Sequence, residues 1–380
     1  MARRLQACVR EDDTVARIGA DEFVVLLENI GPSDDEAAGQ ARKVAEKILA
    51  ALVEPFVLGG EPVHTTASIG IALFEGQAGG VDETLKRAGL AMDEAKARGR
   101  NEARFFDPVM QALAVTRVRL EAELRQGLQR DELVLFYQPQ VDLQGRIRGA
   151  ETLVRWQHPR LGLLPPSDFI DVAERAGLIG ALGLMVLEGA CERLVQWSRQ
   201  PALRDLSLAV NVSALQFSQE DFVDEVRRVI EESGADPRRL ELELTESALV
   251  EDVDAVIAKM HAIKSMGINL ALDDFGTGYS SLSYLSRLPL DQLKIDHSFV
   301  KDIEVDQHAA VICSATIHLA HSLSMTVVAE GVETEAQRQL LTTTYPCDRM
   351  QGYRFGRPMT APAFEAAVWT SEQTREAVSG

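Results

Sequence analysis

The sequence predicts an α/β protein in two parts: a TIM-like (β/α)8 barrel and, ahead of it, a smaller, partial α/β domain. From Leu133 onward, short apolar strands alternate with helical stretches, the pattern of a parallel sheet covered by helices. The alternation runs for about 250 residues, the usual size of a β/α barrel. Six of the strands carry a polar or charged residue near the carboxyl end, where barrel strands converge on one mouth. A doubly wound sheet would show a glycine-rich phosphate fingerprint after its first strand, and no G-x-G-x-x-G occurs.

In chain order, DEFVVLLENI and HTTASIGIALF read as strands, while Asp34 to Val53 and Val81 to Arg98 carry helical spacing, which makes residues 1–106 a small α/β unit. Pro108 to Leu133 places Val115, Val118, Leu120, Leu124 and Leu128 among many charges, so residues 107–129 read as a connecting helix. The barrel is assigned to residues 130–370. Its helical stretches are Asp171 to Gln200, Gln219 to Ser233, Val253 to Met266 and Ala309 to Ser324.

Composition narrows the function. Among 380 residues, 39 Lys and Arg face 58 Asp and Glu, a formal charge of −19 that repels nucleic-acid polymers unless a local basic patch intervenes. No apolar run reaches the length of a membrane helix; Leu178 to Leu187 is interrupted by two glycines and stopped by Glu188. The start, MARRLQACVRED, has no apolar core of a secretory signal. Cys8, Cys191, Cys313 and Cys347 are far apart and form no C-x-x-C pair, so they read as buried thiols of a cytoplasmic protein. His318 and His321 share a helix face without a third ligand nearby and read as helix surface or packing.

Side chains alternate faces along a strand, so polar positions can be sorted by parity. In LELELTES, Leu240, Leu242 and Leu244 oppose Glu241, Glu243 and Thr245; in SLAVNVSA, Asn211 joins Ala209 and Ser213; in INLALDDFG, Asp273 joins Asn269 and Ala271. Glu151, Asn211, Glu243, Asp273, Lys294 and Glu330 then fall one to a strand, in steps of 60, 32, 30, 21 and 36 residues, most of which fit one strand plus one helix. Each alone could be a water-facing residue of a half-exposed sheet. Six together in a helix-alternating chain indicate a site, because a carboxylate inside a barrel is costly unless paired or bound to metal.

Three carboxylates and an amide oxygen, without thiolates, are hard donors suited to Mg²⁺ or Mn²⁺. Asp273 and Asp274 point oppositely on a regular strand, so both reach one site only where the strand ends and turns. Phe275 to Leu282, with Gly276 and Gly278, reads as a mobile loop beside two ions. Two metals within carboxylate reach are machinery for phosphodiester hydrolysis, and through its ions an acidic chain can hold an anionic substrate, with Lys294 and Arg155 assisting.

The stretches YQPQ at 137, ETLVRW at 151, NVS at 211, ELTES at 243, DDFGTGYSSL at 273, LKID at 293, AEGVET at 329 and MQGYRFGRPM at 350 together resemble the EAL-domain phosphodiesterases, which cleave cyclic di-GMP to linear pGpG. The resemblance runs from about Gln126 to Phe364. It implies a barrel whose first strand is antiparallel, often dimeric through the helix next to the DDFG loop. It also implies Glu151, Asn211, Glu243 and Asp273 as metal ligands, with Asp274 completing a second ion. By the same resemblance Lys294 positions the attacking water, Glu330 supports it as base or outer acid, and Glu246 anchors the DDFG loop. Gln138, Arg155 and Gln351 correspond to substrate contacts. Thr152 departs from the family alanine; by parity it points away from Glu151, so a packing change is expected and not lost catalysis.

RIGADEF at 17, TTASIGIA at 65 and AKARGRN at 95 resemble the carboxyl part of a GGDEF diguanylate cyclase domain. Ala20 stands in place of the second signature glycine, where a Cβ crowds a nucleotide. Only 18 residues precede Gly19, so the family's first strand and its metal-binding aspartate are missing, and a fragment of a longer multidomain signalling protein with upstream sensory domains is expected. Arg10 and Asp13 have the spacing of the family's inhibitory nucleotide site, although an R-x-x-D alone reads first as a solvated turn. The leading function is a cyclic di-GMP phosphodiesterase. A non-hydrolysing cyclic di-GMP receptor is the alternative, and a sugar-phosphate metalloenzyme on the same barrel a third reading.

Overall fold

The structure, a computed structural model, describes residues 1–10, 12–31, 34–58, 61–63, 65–74, 80–249, 253–276 and 285–379. It divides into two compact units, Met1–Arg119 and Leu120–Gly380.

In the second unit eight strands close into a barrel: β1 (Leu133–Asp142), β2 (Ile147–His158), β3 (Ser207–Val212), β4 (Leu240–Thr245), β5 (Asn269–Phe275), β6 (Gln292–Ile295), β7 (Thr326–Ala329) and β8 (Arg349–Gln351). Pairing is parallel from β2 round to β8. β1 is antiparallel to both its neighbours and closes the ring, the exception expected for this barrel type. Gly162–Leu164 folds back on the far end of β2 as an added hairpin.

The parity of the sequence explains the layers. Leu240, Leu242 and Leu244 of β4 are essentially buried between the sheet and the helices, while Glu241 and Glu243 face the barrel interior. Val186, Ala190 and Leu194 of helix Ile179–Ser198 and Val226 and Val229 of helix Phe222–Ser233 supply the other side of that apolar layer. Truncating one such leucine to alanine costs about 2–5 kcal/mol.

One expected helix is two. Asp171 to Gln200 breaks into Ile170–Arg175 and Ile179–Ser198, because Gly177 takes φ +67°, a left-handed conformation that ends the first helix and redirects the chain. The other barrel helices begin and end within three residues of expectation, at Phe222–Ser233, Val253–Ser265 and Gln307–Ser322. The connecting helix spans Pro108–Gln129. Within the barrel unit its final turns are held by Leu124, which is fully buried, and by Glu123, whose carboxylate meets His158 Nε2 at 3.0 Å and Arg160.

In the first unit, helices Asp34–Val53 and Gly80–Ala97 match expectation, but the strands are shorter. DEFVVLLENI contributes only Phe23–Leu26, in a hairpin with Thr14–Arg17, and HTTASIGIALF only Ile69–Ile71, parallel to Ala103–Phe105. The described strands of this unit form separate two-stranded sheets.

All four cysteines are buried and free, and burial pushes Cys191 and Cys313 up to about 11 and Cys347 to about 12, far from reactive thiolates. His318 bonds its own helix at Ser314 O and His321 meets Asp348, so the pair is helix surface. Among the described residues no helix is long and apolar enough to cross a membrane.

Candidate active site

Register places the expected residues on one interior face. Asn211 pairs with Glu243 across β3 and β4, and Glu151 pairs with Ala209, two residues before Asn211. Thr245 pairs with Asp273, and Ala271 with Gln292, two residues before Lys294. Even offsets keep all of these side chains inward. Two positions differ from the expected carboxyl-end placement: Glu151 lies in the first half of the long β2, and Glu330 one residue beyond β7.

Lys294 occupies the centre. Its side chain is 1% exposed, and Nζ lies 2.7 Å from Glu330 Oε1, 2.8 Å from Glu243 Oε2, 3.2 Å from Asp273 Oδ1 and 3.9 Å from Glu151 Oε2. Burial alone would lower its pKa, but the charges of Asp273, Glu151, Glu243 and Glu330 prevail and hold it well above the ordinary lysine value. Burial acts the other way on the acids. It pushes Glu243 well up against the pull of Lys294, and Glu330 up to about 8.

Asp273 and Asp274 both reach the site through a bulge in β5. Leu272 pairs with Leu293 and Phe275 with Ile295, so two residues, Asp273 and Asp274, stand opposite Lys294 alone. Asp274 makes this possible by adopting φ +55°, two residues before the first of the glycines that the sequence suggested. Its carboxyl is raised to about 6, first by burial and then by Asp273 and Asp296. Carboxylate oxygens of Asp273, Asp274 and Glu330 lie within 4.8 Å of one another, a grouping able to hold a metal ion. Glu330, expected as a base or outer acid, thus also stands where a ligand could. Glu243 Oε1 is buried without a hydrogen-bond partner among the described residues, and such an orphaned carboxylate oxygen fits a hard divalent cation.

Glu151 is held from two sides: Asn211 Nδ2 donates to its Oε1 at 2.5 Å and Gln351 Nε2 to its Oε2 at 2.5 Å. Gln351 also donates to Gln138 Oε1 at 3.1 Å, and Gln140 donates to Gln351. Above these groups opens a cleft of about 310 Å³, lined by Gln138, Glu151, Asp273, Glu330 and Gln351 among others. Arg155 is outside that lining; its guanidinium donates to Val154 O and lies over the Phe136 ring. Glu246 Oε1 accepts from Gly276 N at 3.0 Å, the second residue of the loop it was expected to anchor. The rest of the loop expected to be mobile lies outside the described residues.

Sequence reasoning missed three side chains of the cleft: His297, Glu333 and Tyr353. Each falls within three residues of a named position, just past the carboxyl end of β6, β7 or β8, which in a barrel is itself a signal. In the first unit, Arg10 and Asp13 close a turn: Arg10 N donates to Asp13 Oδ2 at 2.8 Å, and Arg10 Nη2 donates to Gln40. The GADEF signature forms the tip of the 14–26 hairpin, where Arg17 donates to the carbonyls of Gly19 and Ala20.

Residues 121–358 match the EAL domain family model, and residues 1–102 match that of the diguanylate cyclase GGDEF domain. The chain is 42% identical over 369 residues to the bifunctional diguanylate cyclase/cyclic di-GMP phosphodiesterase MucR of Pseudomonas aeruginosa, covering 97% of this chain and 53% of that protein. It is 41% identical over 366 residues to the cyclic di-GMP phosphodiesterase NbdA of the same organism, covering 96% and 46%. It thus spans about half the length of these relatives. A solved structure described as the PaMucR phosphodiesterase in complex with c-di-GMP superposes with a TM-score of 0.63 at 44% identity, over 65% of this chain and 99% of that one. With its antiparallel first strand, its interior acids and this family match, the chain belongs to the EAL domain family, its barrel preceded by a GGDEF domain.

Proposed function

We propose that the barrel hydrolyses cyclic di-GMP to linear pGpG as a metal-dependent phosphodiesterase. The observation that carries this reading is the buried Lys294, ringed by Glu151, Glu243, Asp273 and Glu330 at the floor of an open cleft. Relatives named cyclic di-GMP phosphodiesterases support the substrate.

Glu151, Asn211, Glu243, Asp273 and Asp274 would hold Mg²⁺ or Mn²⁺, two ions in all, with Glu330 in reach of the second. When bound, the ions supply Lewis acidity and lower the pKa of a coordinated water. The remaining chemistry belongs to the chain. Lys294 donates hydrogen bonds that orient the attacking water, and Glu330 is placed beside it to take up a proton. The water oxygen adds to phosphorus as its proton passes to Glu330, the bond to the 3′ oxygen breaks, and that oxygen takes a proton from solvent as it leaves. Gln351 holds Glu151 and donates to Gln138, both glutamines facing the substrate in the cleft, Arg155 is the further substrate contact of this reading, and Glu246 ties down the DDFG loop.

Residues 1–106 serve as a degenerate GGDEF-like partner, with Ala20 in place of the second signature glycine, joined by the helix of residues 107–129 to a barrel of residues 130–370. In this reading the protein works in the cytoplasm as a homodimer. The test is purified protein with cyclic di-GMP and Mg²⁺ or Mn²⁺, with and without chelator, its nucleotides resolved by chromatography. Metal-dependent pGpG supports the proposal. Binding without product would establish the receptor alternative, and indifference to cyclic di-GMP the sugar-phosphate one. Unchanged cyclic di-GMP binding by an Arg10→Ala variant with a disabled barrel site would remove the regulatory site at Arg10 and Asp13.

A further inference from the structure

His297 follows Asp296 at the carboxyl end of β6, opens the short helix His297–Lys301, and lines the same cleft as Glu151, Asp273 and Glu330. Its side chain is 70% exposed, so packing does not account for its place. It is nonetheless oriented. Nδ1 lies 3.0 Å from Asp296 Oδ2, while Asp296 Oδ1 accepts from Ser298 N at 3.1 Å and from the Ser298 hydroxyl. Asp296 is itself buried. A carboxylate only accepts, so the ring nitrogen facing it carries a proton, and in the neutral tautomer Nε2 is the nitrogen left as an acceptor.

The backbone opposite comes close to His297 at its Cα and Cβ. A Cβ on Gly331 would lie 2.6 Å from His297 Cβ, and Gly331 has φ +68°, so this position, one residue after Glu330, suits glycine on both counts. The ring is therefore oriented by a buried carboxylate, with its Nε2 making no hydrogen bond among the described residues, beside the cleft that holds the candidate metal ligands.

We infer that His297 is a substrate-binding residue, whose Nε2 accepts a hydrogen bond from a hydroxyl or amino group of the nucleoside part of the substrate. The inference rests on the phosphodiesterase reading for the identity of the substrate but not for its turnover. Phosphate oxygens are acceptors and would not suit an unprotonated Nε2, which distinguishes the role from that of Lys294 and Arg155.

The test uses the full chain and two variants, His297→Ala and His297→Phe. Cyclic di-GMP is titrated into chelator-treated protein, where no turnover occurs, and KM and kcat are then measured with Mn²⁺. Both variants are expected to raise Kd and KM about three- to tenfold, the range one net hydrogen bond commands, with kcat within about twofold. In wild-type protein labelled with ¹⁵N-histidine, the Nε2 resonance missing from both variants is expected to move on ligand addition. Unchanged Kd and a stationary resonance overturn the role, even if hydrolysis proceeds normally. A kcat loss with unchanged Kd also overturns it. If wild-type protein binds without cutting, the catalytic reading fails while the Kd ratio still decides His297; if wild-type protein does not bind at all, both readings fall.

Discussion

The Lys294 ammonium sits at 1% side-chain exposure among four carboxylates. Taking a charge out of water costs several kcal/mol, so the lysine and the acids are mutually dependent. Lys294→Ala is expected to lower the rate of pGpG formation by about 10²- to 10⁴-fold, the range of a positioned proton-handling group. It should also lower the stability of the metal-free chain by about 3–5 kcal/mol, because the acids lose their buried partner. Product chromatography and urea unfolding measure the two effects, and a variant that keeps its turnover contradicts the role. Thr152 behaves oppositely. Its hydroxyl is buried without a hydrogen-bond partner among the described residues, so Thr152→Ala should gain up to about 1 kcal/mol and change turnover less than about twofold. A large gain in turnover would show that Thr152 disturbs Glu151. At this scale the sequence was informative where alternation applies: parity brought Glu151, Asn211, Glu243, Asp273 and Lys294 to one interior face. It could not place His297 or Tyr353, which lie past strand ends where no period holds.

Among the elements, β5 decides whether the site can assemble. Two consecutive acids reach one centre only because the strand bulges opposite Lys294 and Asp274 enters the left-handed region. Asp and Asn tolerate that region by local hydrogen bonding, whereas a β-branched side chain does not. Asp274→Asn is therefore expected to fold with wild-type stability but to lose Mn²⁺ affinity, while Asp274→Val should lose about 1–2 kcal/mol of stability as well. Urea unfolding and Mn²⁺ titration separate the two, and equal stability of both variants would contradict the bulge account. The pair DDFG advertised a turn, but glycine was the expected residue to make it. The break at Gly177 was missed for a related reason: helical periodicity continues through 171–200, and only the backbone reveals that a single left-handed residue resets it. In the first unit the expected strands shrank because long apolar runs mark where a strand can form, not how many of its residues find a partner.

For the whole molecule, the buried acids make stability and metal binding respond to pH in opposite directions. Glu241, Glu243, Asp274 and Glu330 are raised by burial, Asp274 to about 6 and Glu330 to about 8. Each binds a proton in the folded state at a pH where the unfolded chain has released it, so folded protein holds more protons between about pH 4.5 and 8. The metal-free chain should therefore lose stability as pH rises through that window. A bound divalent ion replaces those protons, so Mn²⁺ affinity should rise over the same window and Mn²⁺ should flatten the pH dependence of unfolding. Unfolding curves at several pH values, with and without Mn²⁺, check this; stability that rises from pH 5 to 8 without metal would contradict it. The barrel was legible at this scale because strand and helix alternate across it, and a closed ring of strands leaves few other arrangements for that pattern.

The central claim is that this acid-and-lysine floor directs water onto a phosphodiester. The most direct measurement is hydrolysis of cyclic di-GMP in ¹⁸O-enriched water with Mg²⁺ or Mn²⁺, with the product analysed by mass spectrometry. The account predicts pGpG carrying one ¹⁸O in its 5′ phosphate, formed only with the divalent ion and lost in Lys294→Ala. Cyclic di-GMP bound but recovered intact and unlabelled would contradict it.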